Sequence, residues 1–376
     1  MSWFETATKI VVGNTTNQLW EQIRSIRRND EGLTDIIVVL QPDQYHHEDF
    51  ALFVGALGVN SIVEALCLLV EGVLPSHEVQ ALGNMFRTNS SMKRLYLIDP
   101  HNHQLQLLWQ GVHSSQSLKK VDLIRVSAAC VFSFLENRTE SSRIRSFNFM
   151  KCPFPKRNVD SLLAQIFQPE ALVHILSLIK CIFEAEEDKH RIALALAQST
   201  SVEGFLLKDK VELNKETAAM FAHAIATNKA LEMVAFHNLQ DDALPIITQA
   251  VEQNHYLTHA QVSGKEKGIE AIAGEIATGD PEKDYKQKVA LSIAMNKAGR
   301  RFLQDSIQRP GGASIEEFWL SSLAKINKYT VAYCWIRNYP DIFLRVAGLG
   351  EKREEKGKRK APLHCGWGAK KLKTVG

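Results

Sequence analysis

No stretch of this 376-residue chain approaches the roughly 18 uninterrupted apolar residues that a membrane-spanning helix needs. There is no GxxxxGK[ST] loop, no GxGxxG after a strand, no HExxH and no GxSxG, so the common phosphate-binding, dinucleotide, zinc-protease and serine-hydrolase signatures are missing. The six cysteines, at 67, 130, 152, 181, 334 and 365, include no CxxC pair. The opening MSWFETATKIVVGN has no basic start followed by a long apolar core. A chain without a secretory signal in a reducing intracellular compartment, cytoplasmic or nuclear, is the expectation. What is present is ordinary globular composition, 45% apolar and 23% charged, too apolar for disorder and too polar for a membrane protein.

The net charge of +3 is unevenly distributed. Residues 351–376 hold nine Lys and Arg against three Glu, which leaves the body of the chain slightly acidic. A nucleic-acid binder carries a basic face on the fold itself, so nucleic acid is not an expected partner.

The informative signal is repetition, a phrase of three apolar residues spaced three and then two apart. It reads Val63-Leu66-Leu68, Met92-Leu95-Leu97, Leu118-Val121-Leu123, Ile144-Phe147-Phe149 and Val173-Leu176-Leu178. It continues as Val202-Phe205-Leu207, Leu231-Val234-Phe236 and Leu257-Ala260-Val262, with a weaker first copy at Thr34-Ile37-Val39. The middle residues fall at 37, 66, 95, 121, 147, 176, 205, 234 and 260, at intervals of only 29 or 26. Between the phrases lie apolar residues at helical spacing, closed by Asn60, Asn89, Ser199, Asn228 or Asn254. Each unit therefore predicts a short strand followed by a helix.

The 26/29 alternation with helical outer segments resembles the ribonuclease-inhibitor-like subfamily of leucine-rich repeat proteins. That resemblance implies an α/β leucine-rich repeat horseshoe, with parallel strands on its concave face, helices outside and a helical C-terminal cap. The family's usual Asn after the strand is mostly replaced, the corresponding places holding Pro100, Val126, Cys152, Cys181, Lys210 and Leu239, of which cysteine is an accepted substitute. The resulting organisation is an N-terminal cap at 1–32, nine to ten repeats over 33–295, a helical cap at 296–348 and a basic disordered tail at 349–376. After the last clear phrase, a helix is expected at Lys265–Ala277 and a final strand at either Val289–Leu291 or Ile293–Met295. Aromatic-rich helices are expected at Ser314–Lys325 and Tyr329–Arg337. Lys356, Lys358, Arg359 and Lys360 form either a nuclear-import cluster or part of a solubilising tail.

Candidate chemistry is sparse. His46-His47 and His101-Asn102-His103 have no cysteine or carboxylate partner at ligand spacing, so neither a metal nor a cofactor is expected. Cys152 and Cys181 occupy equivalent places in neighbouring units, which suits buried thiols, with a disulfide open on oxidation.

Strand alternation assigns the residues of the exposed strand face. Those expected to meet a partner are Arg94, Tyr96, Ile98, Asp122, Ile124, Asn148, Met150, His237 and Gln261. Ile98, Ile124, Met150 and Ile179 recur at one strand place, forming either an exposed apolar stripe or a row covered by the following loops. The first functional expectation is a non-catalytic scaffold or recognition protein binding another, unidentified protein. The second is a GTPase-activating regulator of a small GTPase, because Ran GTPase-activating proteins share the repeat subtype. That family uses an arginine in an N-terminal repeat loop and an acidic region after the repeats. Here Arg87 and Arg94 are the nearest candidates and the following tail is basic. An enzyme on another fold is the third.

Overall fold

The computed structural model describes residues 7–12, 17–98, 105–168, 170–264, 281–298, 300–303 and 314–325, with 332, 336, 339, 342, 343 and 346 singly. They belong to two compact units, residues 1–297 and 298–376. The first unit opens with β1 (Thr8–Val12) and α1 (Asn17–Arg28), followed by β2 (Asp35–Leu40), α2 (His47–Val59), β3 (Ala65–Val70), α3 (Ser76–Thr88), β4 (Arg94–Ile98) and α4 (Gln106–Ser114). It continues through β5 (Lys120–Ile124), α5 (Ala128–Glu136), β6 (Ser146–Met150), β7 (Pro153–Phe154), α6 (Lys156–Ile166), β8 (Ile175–Ile179) and β9 (Ile182–Phe183). It ends with α7 (Glu186–Gln198), β10 (Gly204–Leu213), α8 (Lys215–Thr227), β11 (Met233–Leu239), α9 (Leu244–Gln253), β12 (His259–Gly264) and α10 (Pro281–Lys297). Ten strands form one parallel sheet in the order β1-β2-β3-β4-β5-β6-β8-β10-β11-β12, and β7 pairs with β9 beside it. A parallel sheet alternating with helices is compatible with a repeat solenoid.

The spacing in the sequence is the register of this sheet. Leu66, Leu95, Val121, Phe147, Leu176, Phe205, Val234 and Ala260 are paired in succession across adjacent strands. Markers 66 to 234 and the apolar residues two places on enter one continuous core with the helices. The two interval lengths have a physical source in the helices. Four of the five 29-residue units carry helices of 13 residues, whereas 26-residue units carry 9 or 10. The difference is about one helical turn, so a shorter unit drops a turn and keeps the strand register.

Two expectations need correction. In the first copy it is Ile36, not Ile37, that pairs with Leu66, and Ile36 and Val38 are the fully buried residues. A strand's side chains alternate between faces, so the slip of one residue exchanges core and surface there. The strand expected at Val289–Leu291 or Ile293–Met295 is instead part of helix α10, with Val289 and Ile293 in the core. The expected helix at 265–277 lies outside the described residues. At the other end, β1 pairs with β2 as the repeats pair with one another, Ile10 opposite Val38.

The turns from helix to strand are joined by a ladder of buried side-chain amides. Asn89 donates through Nδ2 to the carbonyls of Leu57 (2.7 Å) and Asn60 (3.0 Å) one repeat earlier. Its Oδ1 accepts from the backbone N–H of Ser91 and Met92, which lead into the next strand. Asn228 repeats the pattern with Leu196, Ser199, Ala230 and Leu231. Asn254 does so with Ile225, Asn228, Tyr256 and Leu257. Asn60 opens the series on Ile26, and Asn296 at the end of α10 donates to Asn254 and Leu257. Helix C-terminal carbonyls lack intrahelical partners, and each of these amides satisfies one or two of the free carbonyls at the preceding turn. Ser115 and Ser199 take the accepting half of the role, capping Leu118 and Val202.

Helices α3 and α4 touch backbone to backbone. A Cβ added at Gly111 would lie 1.9 Å from the carbonyl oxygen of Gly83, and one at Gly83 would lie 2.3 Å from that of Leu107. In the second unit, α11 (Ile315–Lys325) buries Trp319, whose ring lies 6.0 Å from Phe343. The helix expected at Tyr329–Arg337 and the tail, with its import cluster, fall largely or wholly outside the described residues. Among the described residues no helix is long and apolar enough to cross a membrane.

In an ordinary helix Gly→Ala stabilises by about 1 kcal/mol. At Gly111 the clash is with backbone that cannot rotate away, so Gly111→Ala is expected to destabilise by about 1–3 kcal/mol or more, read as a lowered melting temperature. Asn228→Ala removes four hydrogen bonds, three of them buried, and should cost about 3 kcal/mol. Asn137→Ala, a cap bonded only within its own turn, should cost less in the same denaturant titration.

Candidate functional site

Marker residues and those two places further on point to the helices, so the intervening strand residues line the sheet's second face. The pairing puts three sets in line across β4, β5 and β6: Arg94, Lys120 and Ser146; Tyr96, Asp122 and Asn148; Ile98, Ile124 and Met150. Seven of the nine expected partner-binding residues thus share one patch, about 5 Å apart from strand to strand. His237 and Gln261 do not join it. They lie on β11 and β12, three and four strands beyond β6, about 14 and 19 Å away at that spacing.

Exposure within the patch is uneven. Arg94 is exposed, while Tyr96, Ile98, Ile124, Asn148 and Met150 are half-buried, as is Ile179 on β8. The apolar line is therefore neither open nor fully covered. Asp122 was expected to face solvent and is instead buried, at 2% exposure. A parallel sheet places each side chain between same-face neighbours on both flanking strands, and Tyr96 and Asn148 flank Asp122 in register. Cys67, on the other side of Tyr96, is fully buried by the same effect.

Burial governs the electrostatics. It raises the Asp122 carboxyl above its ordinary value, against the opposing pull of Lys120, Asn148 and Arg94. Asn148 Nδ2 donates to Asp122 Oδ1 at 2.6 Å, and Lys120 Nζ lies 3.4 Å from Oδ2 while facing the Tyr96 ring at 5.8 Å. Asn148 Oδ1 is buried and makes no hydrogen bond, while the buried Asp122 Oδ2 has the Lys120 ammonium as its partner. Burial also raises the Tyr96 hydroxyl, with the Asp122 charge adding to it, and pushes the Cys67 thiol up to about 12. Such a thiol stays protonated at neutral pH and is a poor nucleophile.

The far end of the same face holds an apolar pocket of about 420 Å³, lined by Ile175, Leu206, Met233, Gln261, Ala290 and Ile293 among others. Gly204 keeps it open, since a Cβ there would sit 3.1 Å from Met233 Cε and 3.3 Å from Ile175 Cγ1. His237 makes a 2.8 Å bond with Ser263 Oγ. Cys152 and Cys181 are free thiols behind the strand ends, donating to Leu123 O (3.3 Å) and Phe149 O (3.2 Å) of the preceding strands. The spacing in the sequence does not reveal this pocket, because Ala290 and Ile293 line it from a helix where a short strand is expected, and because Gly204 leaves room beside Met233 and Ile175.

No family model and no curated protein matches the chain. A solved structure described as "Leiomodin-1 Actin-Binding Site 2 (ABS2)" matches at 11% identity over 77% of this chain and 94% of that one, with a TM-score of 0.19. At that score the likeness supports nothing about fold or function.

A group whose folded-state pKa is raised adds stability at low pH and loses it as pH rises through that value. At pH 7 the ionised Asp122 therefore opposes folding. Asp122→Asn, which keeps the size and can keep a hydrogen bond to Asn148, is expected to leave the melting temperature equal or higher at pH 7. Its advantage over the wild type should shrink as the pH falls through the carboxylate range. A lower melting temperature for the variant at pH 7 would mean that attraction to Lys120 outweighs the burial.

Proposed function

We propose that this chain is a non-catalytic leucine-rich repeat protein of the ribonuclease-inhibitor-like kind, which binds a partner protein across the second face of its sheet at β4, β5 and β6. The observation that carries this reading is the buried Asn148 Oδ1, which makes no hydrogen bond, beside the buried, Lys120-paired Asp122 carboxylate, with Tyr96 and the apolar line Ile98, Ile124 and Met150 on the same face. A buried acceptor left unbonded costs about 1–3 kcal/mol, and a partner's arginine, lysine or backbone N–H placed there relieves that cost. A partner cation would also offset the burial that opposes the Asp122 charge. An aromatic ring beside half-buried aliphatics is the composition of binding hot spots. The fitting partner lays an apolar strip along the line of isoleucines and brings a donor to the Asp122–Asn148 pair.

The test is a Tyr96→Ala, Ile124→Glu double variant, checked for folding by circular dichroism and then used in affinity pull-down beside the wild type. Truncating a hot-spot tyrosine costs about 2 kcal/mol, so affinity for the captured partner should fall about 30-fold or more. A folded variant that retains every wild-type partner places the binding site elsewhere. GTP hydrolysis by any captured small GTPase, measured with and without the chain, separates simple recognition from the GTPase-activating alternative.

A further inference from the structure

A second cluster stands apart from this face, at the starts of α2 and α3. His47 lies in the first turn of α2, and His77 and Glu78 in the first turn of α3, one repeat later. Glu78 is 1% exposed, an unusual place for a carboxylate unless it is paired or coordinated. Its Oε2 accepts from the Tyr45 hydroxyl at 2.6 Å. Its Oε1 faces two imidazoles, His47 Nδ1 at 2.6 Å and His77 Nε2 at 4.0 Å. The rings meet edge to face with centroids 4.8 Å apart. One ligand atom from each of the three residues lies within 4.8 Å of the others.

We propose that His47, His77 and Glu78 form a binding site for a zinc-class divalent cation. One imidazole suffices to pair a buried carboxylate, and the second converging on the same oxygen is what a metal needs. Two histidines and a carboxylate are an established zinc donor set, with bonds of about 2.0–2.2 Å and a fourth position left for water or another ligand. Tetrahedral ligands at that distance sit roughly 3.5 Å apart, closer than the present spread. Both imidazoles are more than 60% exposed on their side chains, so side-chain rotation can close the gap while the buried Glu78 stays fixed.

The surroundings supply the outer support that metal ligands need. A ligating carboxylate is held in orientation by its own hydrogen bonds, and here the holder is Tyr45, stacked on Phe50 at 5.5 Å. Burial and the Glu78 contact raise the Tyr45 hydroxyl, which keeps it a neutral donor. Nitrogen donors favour zinc, cobalt, nickel and copper over magnesium and calcium. The ion would tie the first turns of two neighbouring helices together, leaving one coordination position facing solvent. The sequence hid this site because its ligands come from two repeats and only the stacking of α2 on α3 unites them.

The test uses the full chain, freed of metal by chelation and titrated with cobalt(II), followed by displacement with zinc(II) and magnesium(II). One equivalent of cobalt should bind with visible absorption, be displaced by zinc and resist magnesium. His47→Gln, His77→Gln and Glu78→Gln should each weaken zinc binding about 10- to 100-fold, with circular dichroism confirming the fold. A His101→Gln, His103→Gln control should bind as the wild type does. The two histidine variants change exposed side chains and keep the test decisive if Glu78→Gln fails to fold. The proposal is overturned if a folded His47→Gln, His77→Gln double variant binds zinc as tightly as the wild type, or if the wild type binds no zinc.

Discussion

The fold depends on how a helix can end and a strand begin within five residues without stranding polar backbone in the core. Asn60, Asn89, Asn228 and Asn254 solve this with one side chain each, accepting from the new strand and donating to the turn before it. The amide is the side chain suited to it, since it carries two donors and an acceptor on one planar group. With the cap and the strand start both fixed, length variation is pushed into the helix, which gains or loses a turn. The strand side is joined differently, through the thiols of Cys152 and Cys181 reaching carbonyls of the preceding strands.

The amide ladder lapses in the middle of the array. The equivalent residues there are Ser141 and Glu170, both exposed. Aromatic packing takes over at this point. Trp109, Phe134, Phe147, Phe149, Phe154 and Phe183 follow one another with centroid separations of 5.1 to 6.4 Å. His113 is caught in this region, bonded to Ser142 Oγ and Phe134 O, and burial lowers it to about 4, so it is neutral in the core. Lys189 is an enclosed charge, held by Asp209 at 2.5 Å and Glu186 at 2.6 Å. The carboxylates outweigh burial and keep its pKa raised.

The repeat was legible in the sequence because apolar spacing is a local, periodic demand. From Leu66 onward the marker gave the register of eight strands without error. It slipped at Ile37, where the run Ile36-Ile37-Val38-Val39 is apolar at every position and alternation loses its contrast. It failed at Val289–Met295, where a short apolar run reads equally as strand or helix. Within the candidate site, which residues share a face followed from alternation, but the burial of Asp122 did not, because neighbours on flanking strands cover it. His77 and Glu78 were invisible as ligands for the same reason. Contacts between repeats are set by stacking, and no spacing along the chain encodes which side chains converge.

The lapse at 141 and 170 has a mechanical side. On either flank, neighbouring repeats are sewn at the helix-to-strand turn by one amide each, whereas around β5, β6 and β8 the side-chain links lie elsewhere, from Asn148 to Asp122, from the Cys152 and Cys181 thiols to the preceding strands and from Arg138 and Asn158 to neighbouring carbonyls. A load applied across the strands is therefore carried at the turns on either flank, and in the middle by the strand ends, the strand face and the packed rings. A ligand lying across β4, β5 and β6 would add its own links on that strand face, beside the Asn148–Asp122 bond, where the turn amide is missing.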